Sequence, residues 1–286
     1  MWRVFPRFLC LILCLAGLTA AQGPVLMAAG SAADKAATVS PWADGVLSFS
    51  ADLPAADHTP LPLVAPVVLP RMAPELALQA YRGRSVLQAA NLASYSATTV
   101  IHAQLPDSSQ SGEYELQTRY SSPRALTFKA LRFTGDAFVK TNVIVRLLQS
   151  EVDHLQKDDP ALTAITPANY KFSYKGTNQM QGRLVHVYQL KPRKKRAGLF
   201  KGRIYLDAYS GSMVRAEGRL VKPPSFFVKK IEFVQDFADI DAFTFPVHIH
   251  SEAQTRLVGR AVVDIYDADY QPVAATAATS QRSPTI

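Results

Sequence analysis

Apolar and polar residues follow three rhythms along this chain. Phe8 to Leu18 is an unbroken uncharged apolar run, whereas Gln22 to Ala73 sustains neither a helical nor an alternating pattern. Periodic segments begin at Pro74. Pro74-Glu75 suits a first helical turn, and Leu76, Ala80, Leu87, Ala90 and Leu92 supply apolar positions for a helix up to Ser94, weakened in its middle by Gly83. From Tyr95 the period falls to two: Tyr95, Ala97, Thr99, Ile101, Ala103 and Leu105 share one face of a strand that Pro106-Asp107-Ser108 ends. Tyr114, Leu116, Thr118 and Tyr120 then alternate with Glu113, Glu115, Gln117 and Arg119, which describes a strand wet on one side.

A third strand is expected over 125–133 and a second helix over 142–157, where Val145, Leu148, Val152 and Leu155 repeat at helical spacing until Asp158-Asp159-Pro160 stops it. Beyond Asn169 every element reads as a strand. Tyr170, Phe172 and Tyr174 alternate with lysines, and further strands are expected at 183–190, 200–206, 214–220, 226–237, 243–255 and 257–270. About ten antiparallel strands with two helices predict an α+β domain, and short links such as Asp207-Ala208-Tyr209-Ser210-Gly211 favour a meander that curls on itself.

The first 21 residues read as a secretory signal peptide. Arg3 and Arg7 give a positive start, the apolar run is too short to span a bilayer as a helix, and Thr19-Ala20-Ala21 offers small residues for cleavage before Gln22. Residues 22–73, with six prolines between 54 and 74, read as an Ala/Pro-rich flexible leader. The folded domain is expected over 74–270, with 271–286 as a disordered tail. The location expected from this is the periplasm. Both cysteines, Cys10 and Cys14, fall in the signal peptide, so neither a disulfide nor a thiolate metal site is expected in the mature chain.

The formal charge is +8, and +6 once Arg3 and Arg7 are removed. That excess suits an anionic membrane surface or an acidic protein partner, and no nucleic acid is expected for an exported chain. The densest charge is Arg193-Lys194-Lys195-Arg196, followed by Leu199 and Phe200. A solvated turn is the plain reading; the functional one is a docking site, with Leu199 and Phe200 dipping beside the cations. His248, His250 and Glu252 share one strand face opposite Phe245, Val247 and Ile249, without a further matching ligand, so no metal is expected there, and no other cofactor is expected. No Gly-x-Ser-x-Gly elbow, His-Glu-x-x-His pair or phosphate-binding glycine loop occurs, and a non-enzymatic role is expected.

Several segments together carry a family likeness: Val187-Tyr188-Gln189-Leu190-Lys191-Pro192, then Gly202-Arg203-Ile204-Tyr205-Leu206-Asp207, Gly211 and Val214-Arg215, and later Ile231-Glu232-Phe233 and Phe245-Pro246. In this pattern, over about residues 74–270, the chain resembles the LolA-like lipoprotein-sorting superfamily, which also holds LolB-like proteins and the RseB-like sensor domain. The resemblance implies a curved antiparallel sheet, an incomplete β-barrel, with helices covering a concave apolar face that holds lipid or lipoprotein acyl chains. Tyr170, Phe172, Tyr174, Ile204, Leu206 and Phe233 are the residues expected to line that cavity. A carrier is the leading expectation, and a periplasmic sensor or scaffold that binds protein or lipid without transport is the alternative.

Overall fold

The computed structural model describes residues 70–222, 228–256 and 258–275. The expected signal peptide, nearly all of the leader and the tail beyond residue 275 lie outside the described residues. Helix α1 (Pro74–Asn91) leads directly into three antiparallel strands, β1 (Leu92–Leu105), β2 (Gln110–Ser121) and β3 (Ala125–Gly135). Helix α2 follows in three consecutive pieces, Ala137–Val139, Lys140–Ile144 and Val145–Lys157, the middle one π-helical. Seven more strands complete the fold: β4 (Tyr170–Met180), β5 (Arg183–Pro192), β6 (Phe200–Asp207), β7 (Met213–Leu220), β8 (Val228–Ile240), β9 (Phe243–Thr255) and β10 (Arg260–Ala274).

All ten strands form one antiparallel sheet in the order β3-β2-β1-β10-β9-β8-β7-β6-β5-β4, open between β3 and β4. The expected α+β class, a curved sheet forming an incomplete barrel with helices on one face, is the fold observed. Laid flat, ten strands at about 4.8 Å spacing would span roughly 43 Å. Instead, Tyr114 and Leu116 of β2 belong to the same apolar cluster as Tyr170 of β4, together with Val139, Ile144 and Leu147 of α2, and that requires the sheet to curl around the helices.

Alternation decides which face is which. Ala97, Thr99, Ile101, Ala103 and Leu105 of β1 and Tyr114, Leu116, Thr118 and Tyr120 of β2 are buried, as their period of two predicts. Helix α2 begins five residues earlier than its periodicity suggested. Its π-helical turn adds one residue to a turn, so the inward positions Val139 and Val143 fall out of phase with a 3.6-residue repeat read back from Leu148. The packed region also extends past both expected limits. Met72 donates its backbone N–H to Ala208 at 2.9 Å, and β10 runs on to Ala274, pairing with Leu92 at the start of β1.

Helix α1 is fastened along its length. The Tyr188 hydroxyl donates to the Pro74 carbonyl at 2.5 Å, and Arg84 meets Asp239 at 3.1 Å. The Gln88 amide donates to the Thr244 carbonyl at 2.8 Å and accepts from the Thr244 N–H at 2.9 Å. The β6–β7 turn closes against the same helix. Asp207 Oδ1 accepts from the N–H groups of Tyr209 and Ser210, both at 2.9 Å, and Gly211 takes φ +69°. A Cβ at Gly211 would stand 2.7 Å from that of Ala80, so only glycine lets the turn reach the helix.

Candidate functional site

The helix-covered face carries the residues expected to line a cavity. Tyr170, Ile204 and Leu206 are fully buried there, and Phe233 nearly so. Phe233 stands edge-on to Phe200 with ring centroids 5.2 Å apart, and Phe200 lies 5.6 Å from the Tyr170 ring. The Tyr170 hydroxyl accepts from the Phe200 N–H at 3.3 Å, and its burial pushes the phenol well above its ordinary pKa. It therefore acts as a neutral polar tip in an apolar layer.

Burial fades along β4 because it is an edge strand. Phe172 is half-buried with the Arg82 guanidinium 5.5 Å above its ring, and Tyr174 is 41% exposed, its hydroxyl 3.1 Å from His186 Nδ1. Tyr170, Phe172 and Tyr174 therefore run from core to rim; they do not line one wall evenly. The structure corrects a second expectation: Leu199 and Phe200 are each only 1% exposed and belong to the core, so they do not dip outward beside the basic turn. The chain folds them back under β6, where burial of their apolar surface outweighs exposure next to charge. In the turn itself Arg193 Nε donates to the Pro167 carbonyl at 2.7 Å and Arg196 to the Leu162 carbonyl at 3.1 Å, leaving Lys194 and Lys195 exposed.

Polar side chains interrupt this apolar layer. Thr99 Oγ1 donates to Asp267 Oδ1 at 2.6 Å; its single proton is thereby used, so Thr118 is the donor in the 2.7 Å Thr118–Thr99 contact. Gln235 of β8 and Ser251 of β9 are both 1% exposed, yet Gln235 Oε1 and Ser251 Oγ have no hydrogen-bond partner among the described residues. Phe233 pairs with Ser251 and Gln235 with Ile249, so Gln235 and Ser251 are diagonal neighbours on the inner face. Ser150 Oγ, on the buried side of α2, is likewise unpartnered. Each such group costs about 1–3 kcal/mol if left unsatisfied. These positions were visible in the alternation, since Gln235 falls in step with Ile231, Phe233 and Phe237, and Ser251 with Ile249 and Ala253. A polar residue at an inward step was the signal.

On the opposite face, His248 Nε2 and His250 Nδ1 lie 3.2 and 2.8 Å from Asp264 Oδ1, whereas Glu252 pairs with Arg260 at 2.8 Å. Glu252 Oε1 also lies 3.5 Å from His250 Nε2, and Arg260 first, with His250 behind it, holds its carboxyl below the usual range. No group of three or more His, Cys, Asp or Glu side chains placed to hold a metal occurs among the described residues. Nor is any described helix long and apolar enough to cross a membrane.

No known family profile and no curated protein matches the sequence. Solved structures do. An outer membrane lipoprotein-sorting protein domain from Vibrio parahaemolyticus aligns over 69% of this chain and 92% of its own, with 12% identity and a TM-score of 0.37. A LolA superfamily protein from Nitrosomonas europaea aligns over 70% and 93%, with 10% identity and a TM-score of 0.33. MucB aligns over 67% and 92%, with 12% identity and a TM-score of 0.26. The second of these is named for the superfamily that the sequence pattern resembles.

Proposed function

We propose that this protein is a periplasmic binding protein, and in the leading form of that reading a carrier, for the acyl chains of lipids or lipoproteins. On this reading residues 1–21 direct export, and the helix-covered face of the sheet receives the chain. Burial of an acyl chain there gains about 0.8 kcal/mol per methylene. The observation that carries the proposal is the pair of unpartnered polar atoms, Gln235 Oε1 and Ser251 Oγ, diagonal neighbours buried on the helix-covered face. A filled core gains nothing from them. An acylated ligand brings an amide N–H or a hydroxyl next to its apolar chain, and such donors satisfy both atoms.

The experiment is a binding titration of the purified protein with a fluorescent acyl-amide probe, competed by natural lipid extract, alongside urea denaturation. Saturable binding is expected, weakened at least several-fold by Gln235→Leu with Ser251→Ala while the fold persists. The result against the proposal is a double variant that is more stable and binds as the parent does, or a parent that binds no acylated ligand.

A further inference from the structure

The face of the sheet turned away from the helices carries a feature that only strand register reveals. Lys171 is the second residue of β4 and pairs with Lys191 of β5. One step beyond the Leu190–Gly202 pair, Lys191 comes opposite Lys201 of β6, which pairs with Arg219 of β7. Their neighbours Tyr170, Leu190, Phe200 and Leu220 are all buried on the helix side, so alternation sends the four cations outward, where all are exposed. Four positive charges thus stand in one row across four adjacent strands, roughly 4.8 Å apart. The 193–196 turn, with Lys194 and Lys195 exposed, leaves the sheet at this same end.

Like charges set opposite one another disfavour pairing, so the row does not serve the fold. Among the described residues no carboxylate forms an ion pair with Lys171, Lys191, Lys201, Arg219, Lys194 or Lys195. Glu232 faces Arg219 in register, but its carboxylate lies 2.8 Å from Lys230. Glu217 accepts from the Tyr205 hydroxyl at 2.7 Å and lies 4.0 Å from Arg203. Beside the row lies an open groove of about 330 Å³ walled by Lys201, Arg203 and Arg219 together with Glu217 and Glu232, three cations against two carboxylates.

We propose that this row and the adjoining turn form a docking surface for the anionic phosphate headgroups of a membrane. Lysine is depleted at protein–protein interfaces, whereas clustered lysine next to a membrane is the ordinary means of holding anionic lipid. Five of the six unpaired cations are lysines. The apolar residues of the turn are buried, so attraction is electrostatic adsorption to the lipid surface without insertion. The proposal stands independently of acyl binding, because it uses the other face of the sheet.

The test is co-sedimentation of the purified protein with phosphatidylcholine vesicles with and without phosphatidylglycerol. Binding is expected only to the anionic vesicles and to fall steeply as salt is raised above about 0.1 M. Replacing Lys171, Lys191, Lys201 and Arg219 together by Ser is expected to weaken it by on the order of a hundredfold. Replacing Arg119, Lys129, Lys157 and Arg183 by Ser removes the same charge elsewhere and should change it by less than about fivefold. Thermal unfolding confirms that both variants fold, and the acyl-probe titration should be unaltered by the row variant. Equal binding to both vesicle types, or a row variant no weaker than the control variant, overturns the proposal. So does soluble polyglutamate that binds the row as tightly as the vesicles do, which would assign the surface to an acidic protein.

Discussion

Along β6, Phe200, Gly202, Ile204 and Leu206 point toward the helices, and Lys201, Arg203 and Tyr205 point away. The same backbone thus serves two environments, and the two faces are stabilised differently. The inner face holds one large apolar cluster running through nine strands and both helices and a second around Tyr120, Phe245 and Tyr270, and in each a residue's burial depends on its neighbours. Apart from a small apolar cluster of Val185, Val187, Tyr205 and Val214, the outer face is a set of local ion pairs, such as Arg215 with Asp236 and Arg260 with Glu252, separated by stretches of unpaired like charge. Losses on the inner face propagate; those on the outer face stay local.

That contrast is open to direct breakage, first where the effect is largest. Ile204→Asp places an unpaired charge in the filled centre of the inner face and is expected to cost about 3–5 kcal/mol, enough to unfold the domain in a urea titration. Phe233→Ala, which empties the space beside Phe200, should cost about 3 kcal/mol in the same measurement, or less if a bound acyl chain takes its place. Adding the acyl probe should then restore part of the stability of Phe233→Ala. Gly211→Ala forces a non-glycine residue to φ +69° against Ala80 and should cost about 1–3 kcal/mol, read as a lowered melting temperature.

On the outer face Asp236→Ala leaves the half-buried Arg215 without its bidentate partner and is expected to cost about 1–2 kcal/mol. Arg260→Gln should have the smallest effect, and one that depends on pH. Arg260 lowers the folded-state pKa of Glu252, so the pair contributes stability at pH values above the ordinary glutamate range. That contribution disappears as pH falls through the lowered value. The urea midpoints of parent and variant should therefore differ slightly at pH 7 and converge toward pH 3.

The division into faces was legible in the sequence wherever a strand is wet on one side. In β1 and β2 the period of two named the buried residues directly, because a one-residue slip would have exposed Ile101 and Leu116 together. The histidines of β9 were likewise placed on the outer side, opposite Phe245 and Ile249. What escaped was anything set by register or by chain reversal. The row from Lys171 to Arg219 is spread over 49 residues of sequence and becomes a row only when four strands pair in one register. Leu199 and Phe200 follow four cations in sequence, yet the reversal at Gly198, with φ +83°, turns them inward. Tyr174 shares the inward alternation of Tyr170 but sits where an edge strand meets solvent, a position that periodicity does not encode. At the candidate site, the alternation marked Ile204 and Leu206 as residues to be covered and also held the polar interruptions at Gln235 and Ser251; their lack of partners required coordinates.

The pairing of β1 with β10 joins the first strand of the sheet to the last, so the order in which segments are made governs when folding can finish. Until Arg260–Ala274 is available, the three-strand unit β1–β3 has one bare edge along β1, and the β4–β9 meander has its own along β9. Neither half can be sealed early, and contacts so far apart in sequence form slowly. Until that closing strand pairs, the edges of β1 and β9 are open to intermolecular pairing.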